Sequence, residues 1–399
     1  MKLRFVAVIL VLVTATLQGC AGPNRLPAVP PELQGKAVIP GLPEVRYRPG
    51  FDTEKLTQEG EEVNRRELAW RSEQGLSGPP PPSYFLAISG GGDNGAFGAG
   101  LLKGWTKAGT RPEFGLVTGI STGALIAPMA FLGSDYDEKL ERFYTQTSTK
   151  DILKNRPIYS LLTSDSLSDT SPLWRRVKDE YTREMLDAIA AEYEKGRLLF
   201  IGTANLDSRQ GYIWNITKIA ANPDPQALEL FQSIIIASAA IPGAFPPVMI
   251  DVEAEGKDYQ EMHVDGGTIA QVFIYPPALD LKGLEQAAGI EERESTLYII
   301  RNSRLDPDWA SVDRRIMSIA GRSITSLIHN QGLGDLYRIY LTAQKDGVDY
   351  NLAYIPPTFD VPRKEMFDPD YMKALFEMGY EMAAGGYPWA KYPPSLGGQ

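Results

Sequence analysis

Two glycine-rich turns of this 399-residue chain carry a serine and a carboxylate that could work together. In Gly119-Ile-Ser121-Thr-Gly123 the serine follows the apolar run 115–120 and precedes an apolar helical pattern. That is the context of a nucleophile elbow. The chain turns sharply from strand to helix, and the hydroxyl stands at a helix N-terminus, where unpaired N–H groups and the dipole favour developing negative charge. A plain strand–turn–helix with a serine N-cap would look the same. A serine nucleophile needs a base, and the chain has only two histidines. His329 lies in the helical run "SLIHNQGLG", where an interior, hydrogen-bonded position is expected. His263 stands two residues before Asp265, so on a strand the two share a face. A carboxylate next to a serine hydroxyl can take its proton where the resulting oxyanion is strongly stabilised. Gly266 and Gly267 after Asp265 suit a close backbone approach, which favours Asp265 over His263 as the base. A histidine base would give an activity inflection near its pKa of about 6.5. A carboxylate base would keep activity into mild acid unless burial raises its pKa.

The stretch "SGGGDNGAFGAG", residues 89–100, contains Gly90-x-Gly92-x-x-Gly95, the spacing of a dinucleotide-binding loop. Such a site also needs an acidic residue at the end of the next strand, about 20 positions on. Here that strand runs straight into the Ser121 turn and carries no acid. The backbone amides of Gly90, Gly91, Gly92, Asn94 and Gly95 are instead expected to face an oxyanion. Asp93 reads as a carboxylate complementing the helix dipole, and Asp207 in "NLDSRQ" as a turn residue.

Short apolar runs must position these turns. Strands are expected at 84–89, 115–120, 198–205, 212–216, 261–265, 296–300 and 349–354. Helices are expected at 94–108, 121–132, 174–193, 228–238 and 316–344. This alternation implies an α/β sheet with helices on both faces. Residues 21–50 contain Pro23, Pro27, Pro30, Pro31, Pro40, Pro43 and Pro49 with little apolar periodicity, which predicts an extended tether. Residues 52–74 are charged and helix-prone. Residues 134–169 read as a flap over the site or a surface insertion, and the Gly/Pro-rich end as irregular.

The chain begins "MKLRFVAVILVLVTATLQGC", a positive start followed by an apolar run too short to span a bilayer. It reads as an export signal. Leu17-Gln18-Gly19-Cys20 resembles a bacterial lipobox, and Cys20 is the chain's only cysteine. Acylation of Cys20 would anchor an exported protein to the cell envelope. The absence of Asp directly after Cys20 resembles the pattern sent to an outer membrane, with the domain in the periplasm. A net charge of −10 speaks against nucleic acid as a partner, and two histidines leave little for a histidine-based metal site.

Together, "SGGGDNG", "GISTG" and "VDGG" in this order, with almost no histidine, resemble the patatin-like phospholipase family. "GTANLDSRQGYIWNIT" and "ASAAIPGAFPPVMI" extend the likeness, which runs from about Tyr84 to Asp280. The resemblance implies a three-layer α/β/α sandwich around a central, mostly parallel sheet. It implies a Ser121–Asp265 dyad, an oxyanion hole from the glycine-rich loop, elbow and motif glycines Gly119, Gly123, Gly266 and Gly267, and hydrolysis of phospholipid or other lipid acyl esters with no metal or cofactor. The family often has a basic residue where this chain has Asn94. The resulting division of the chain is a lipoprotein signal over 1–19 and a tether with a charged helix over 20–83. A catalytic core over 84–280 follows, then C-terminal elements over 281–399 that complete or decorate it. A non-catalytic envelope lipoprotein on the same scaffold and an acyltransferase using the same acyl-serine are the competing readings.

Overall fold

The structure, a computed structural model, describes residues 24–156, 164–290 and 293–396. Cys20 and the apolar leader lie outside the described residues. In chain order the elements that frame the site begin with β1 (Arg46–Tyr47), α1 (Thr53–Glu73), β2 (Ser83–Ile88), α2 (Gly95–Lys107), β3 (Leu116–Ile120), α3 (Thr122–Leu132) and α4 (Asp137–Thr145). Next come α5 (Ser171–Glu180), α6 (Arg183–Glu194), β4 (Leu198–Asn205), β5 (Gln210–Asn215), α7 (Ala227–Ser238), β6 (Val248–Ala254) and β7 (Lys257–Asp265). The chain ends with β8 (Ser295–Arg301), α8 (Ile316–Asp346), β9 (Asp349–Tyr354) and α9 (Pro369–Ala384).

These strands form one nine-stranded sheet in the order β1-β5-β4-β3-β2-β8-β9, with β7 pairing the end of β4 and β6 pairing β7. β4, β3, β2, β8 and β9 run parallel, whereas β5, β1, β7 and β6 join antiparallel. The parallel strands are apolar on both faces because helices cover both. Along β2, Leu86 and Ile88 enter a core built with α2, α3, α4, α6, α7 and α9. Phe85 and Ala87 point to the opposite core, which takes Leu56 from α1 and Leu336, Ile339 and Ala343 from α8. The fold is therefore mixed α/β, with a central, mostly parallel sheet flanked by helices.

Three expectations are corrected. Residues 24–50 are not a free tether. Val29, Ile39, Leu42, Val45 and Tyr47 are buried, and the segment runs along the β6–β7 hairpin through Gln260 N–H to Pro27 O and a Val38–Glu253 bridge. The helix expected over 174–193 is two, α5 and α6, with the break at Tyr181 and Thr182. Strand β6 was hidden behind the prolines of "IPGAFPP", yet it alternates buried and exposed residues and turns into β7 at Glu255–Gly256, both with positive φ. The last residues are irregular but packed, with Trp389 against Trp105 and Tyr298.

Candidate active site

Ser121 ends β3 at the carboxyl edge of the sheet and sits at φ 57°, ψ −125°, a conformation that L side chains rarely adopt. The surroundings hold it there. Its N–H donates to Ser238 Oγ at 3.0 Å, and Ser238 Oγ donates to Gly202 O at 2.7 Å, so α7 and β4 brace the turn together. The elbow glycines permit close crossing. A Cβ on Gly119 would lie 2.4 Å from Gly123 O, and one on Gly123 would lie 2.2 Å from Ile88 O. A side chain at either position would push α3 off the sheet.

Asp265 ends β7, and its Oδ2 accepts the Ser121 hydroxyl at 2.6 Å. Its Oδ1 accepts from Gly267 N–H at 2.7 Å, which fixes the carboxylate plane. Gly266 lets this turn lie against β4, since a Cβ there would come within 2.5 Å of Gly202 O. Burial pushes the Asp265 carboxyl up to about 6, against the lowering effect of the Ser121 and Gly267 hydrogen bonds.

His263 is committed elsewhere. Its Nε2 lies 3.0 Å from Glu261 Oε2, and its Nδ1 lies 2.9 Å from Thr203 Oγ1. An ionised carboxylate only accepts, so Nε2 carries the proton and Nδ1 accepts from the Thr203 hydroxyl. Both ring nitrogens of the neutral imidazole are thereby used. Burial lowers the pKa of His263 despite the pull of Glu261. Glu261 is itself desolvated, but the Arg46 guanidinium and the His263 hydrogen bond bring its carboxyl down to about 2. His329 is half-buried on α8 rather than interior.

The glycine-rich loop packs beside Ser121, but its amides are not equivalent. Gly90 N–H donates to Gln271 O, Asn94 N–H to Gly91 O, and Gly95 N–H to Asp93 and Gly92 O. These three are spent on folding the loop, which corrects their expected part as oxyanion donors. Among the described residues the amides of Gly91, Gly92 and Asp93 have no acceptor. Asn94 uses its side chain instead, with Oδ1 accepting from Tyr371 OH at 2.7 Å. Asp93 is more than a dipole complement. It accepts from Arg363 Nη1 at 2.9 Å and Phe367 N–H at 3.1 Å, and so holds the 363–367 segment over the site. Asp207 lies in a turn as expected, and also pairs with Arg25.

Ser121 opens on an apolar cleft walled by Leu125, Phe143, Ile152, Ile241, Phe245 and Phe367. The cleft is about 30 Å³, room for about one water, so an acyl chain enters only if the walls part. Phe143 and Ile152 come from the 134–169 stretch and line one side of the cleft. The largest cavity described, about 580 Å³ between α1 and the β2–β3 edge, contains neither Ser121 nor Asp265. Among the described residues, no group of three or more His, Cys, Asp or Glu gathers as a metal site. The braces Ser238 and Gln271 have no local signal in the sequence, where one is a serine closing an apolar helix and the other an amide in a loop.

Comparison with known proteins bears on this region. No curated protein matches the chain. VipD from Legionella pneumophila is similar at 13% identity with a TM-score of 0.37, over 77% of this chain and 66% of that one. The type III effector protein ExoU is similar at 11% identity with a TM-score of 0.24, over 77% of this chain and 53% of that one. The chain spans less than two thirds of either. The segment that holds the elbow, the glycine-rich loop and the Asp265 turn, residues 86–277, matches the model of one family. That model is of the patatin-like phospholipases.

Proposed function

We propose that this protein is a serine acyl hydrolase that cleaves phospholipid or other lipid acyl esters through Ser121 and Asp265, held at a membrane by an acylated Cys20. The family match supports lipid acyl hydrolysis in general. The finer mechanism is carried by one observation: the 2.6 Å hydrogen bond from Ser121 Oγ to a buried carboxylate, made by a serine at positive φ. In the first half-reaction Ser121 Oγ attacks the ester carbonyl carbon while its proton passes to Asp265 Oδ2. The carbonyl oxygen takes the negative charge, and the free amides of Gly91 and Gly92 are its donors. Collapse breaks the ester bond, and the leaving alkoxide takes the proton back from Asp265. Water then gives a proton to Asp265 and attacks the acyl-Ser121 carbonyl, releasing the fatty acid and restoring the hydroxyl. A carboxylate raised to about 6 is a better base for this than an ordinary one.

A fluorophosphonate probe should label the protein at Ser121, and Ser121→Ala should abolish both labelling and ester hydrolysis. Labelling that persists in folded Ser121→Ala would remove the nucleophile from this residue. The anchor is tested separately. Cys20→Ser should release the protein from membranes, and a variant still wholly membrane-bound after high-salt washing would refute acylation at Cys20.

A further inference from the structure

Helix α8 is much longer than the face of the domain it covers. Its second half packs on the sheet through Leu336, Ile339 and Ala343, whereas its first half and the loop before it carry large apolar side chains into solvent. Trp309 is 89% exposed, Ile316 85%, Met317 79% and Leu327 71%, with Ile324 and Ile328 also exposed. At 3.6 residues per turn, Ile316, Met317, Ala320, Ile324, Leu327 and Ile328 share one side of the helix. Ser318, Arg322, Thr325, Ser326 and His329 share the other, with Ile319, also exposed, beside them. Arg322 is already paired with Asp308 at 2.9 Å, which fastens the Trp309 loop to that polar side. Exposed apolar surface on this scale marks a docking site.

Its position says what docks. One turn beyond Leu327 and Ile328, Gln331 Nε2 donates to Ile269 O at 2.6 Å, and its Oε1 accepts from Gln271 Nε2 at 3.1 Å. Gln271 in turn holds Gly90 of the glycine-rich loop and Gly267 of the Asp265 turn. The apolar stripe therefore ends one turn from the residues that fold the glycine-rich loop and the Asp265 turn. Ile269, itself exposed, reaches toward Gly211, where a Cβ would lie 3.3 Å from its Cγ2. The turn just before Gly211 carries Asp207, which receives Arg25 at 2.8 and 2.7 Å. Arg25 stands five positions after Cys20, a reach of at most about 17 Å. The start of the packed chain and the apolar stripe are thus both linked, through Gly211 and Ile269, to the segment that follows the Asp265 turn.

We infer that the apolar face of α8 around Ile316–Ile328, with Trp309, inserts into the surface of a phospholipid bilayer and sets the cleft against the lipid it cleaves, an inference that rests on the lipid-hydrolase reading of the site. The helix is of the kind that lies in the interface plane, apolar face down, with the tryptophan at headgroup level. Its polar side is mostly uncharged, so insertion is driven by apolar burial rather than by anionic headgroups, and it tolerates salt.

The chain's single cysteine makes a site-specific test possible. In full-length Cys20→Ser/Ser121→Ala protein, which has neither a thiol for an anchor nor turnover, an environment-sensitive fluorophore is attached at Ile324→Cys or, as control, at Ser318→Cys. On adding phosphatidylcholine vesicles, the label at 324 should shift to the blue and be quenched by lipid-borne nitroxide at both low and high salt, while the label at 318 should not. Ile316→Ser/Leu327→Ser in the same background should weaken vesicle binding of the 324-labelled protein by at least about tenfold. In otherwise wild-type protein the same pair should lower hydrolysis of vesicle lipid and leave hydrolysis of a soluble short-chain ester unchanged. Equal responses at 324 and 318, or none at 324, would overturn the inference. So would a 324 label buried before vesicles are added in a concentration-dependent way, which would make the stripe a contact between two copies of the chain. Failure of the site reading shows separately, as unimpaired soluble-ester turnover by Ser121→Ala.

Discussion

Asp265 is buried with two hydrogen-bond donors, Ser121 Oγ–H and Gly267 N–H, and among the described residues no cation shapes its charge. Its carboxyl is pushed up to about 6, where the free side chain stands at 3.8. A carboxylate base keeps activity into mild acid unless burial raises its pKa, and here burial raises it to about 6, so an activity inflection near 6 is expected. A pH profile alone therefore does not distinguish Asp265 from a histidine. It does carry a stability consequence. A raised carboxyl binds its proton more tightly in the folded state, so its contribution to stability is full below 3.8 and is lost as pH rises through about 6. Ionising it in place costs the fold up to about 3 kcal/mol at neutral pH. Asp265→Asn should be inactive yet melt higher than wild type at pH 8, by about 1–3 kcal/mol, with the gap closing as pH falls to about 4. Thermal melts at the two pH values check this. An Asp265→Asn protein less stable than wild type at pH 8 would mean that the burial is relieved in solution.

Among the elements, the strand that delivers Asp265 depends on a segment more than 200 residues away in sequence. Arg46 of β1 sends both guanidinium nitrogens to Glu261 of β7, and the two side chains are 7% and 1% exposed. Glu261 then holds His263, and two residues later the strand ends at Asp265. Removing Arg46 leaves a buried carboxylate with one partner, a change worth about 3–5 kcal/mol. Urea unfolding of Arg46→Ala should show a loss of that size, and a loss below about 1 kcal/mol would mean that β7 is held without β1. Nothing local in the sequence announces this. The prolines over 27–49 read as a tether because the partners that order this segment, Glu253, Gln260 and Glu261, are long-range. The hairpin of β6 and β7 was legible in principle, since "VMIDVEAEGKDYQEMHVD" alternates around an Glu255–Gly256 turn. The prolines just before it hid the first strand.

At the level of the whole molecule, the parallel strands were plain in the sequence, β4 and β9 to the residue, because strands buried on both faces are predominantly apolar. Ser121 and Asp265 were legible for a different reason: a sharp turn needs small neighbours, and glycines print that need into the sequence. The braces Ser238 and Gln271 were not, because a lone polar residue in a helix or loop looks alike whether it faces water or a catalytic turn. Nor was the division of labour within the glycine loop, where only neighbouring carbonyls decide which amides stay free. The claim that ties these together is that Ser121 and Asp265 act as one unit while His263 only supports the strand. Turnover of a soluble ester by Ser121→Ala, Asp265→Asn, their combination and His263→Ala tests it directly. Each of the first two should lose all but background activity, with the double variant no worse than either, while folded His263→Ala keeps most of its turnover. A folded His263→Ala as inactive as Ser121→Ala, beside an Asp265→Asn that still turns over, would contradict it.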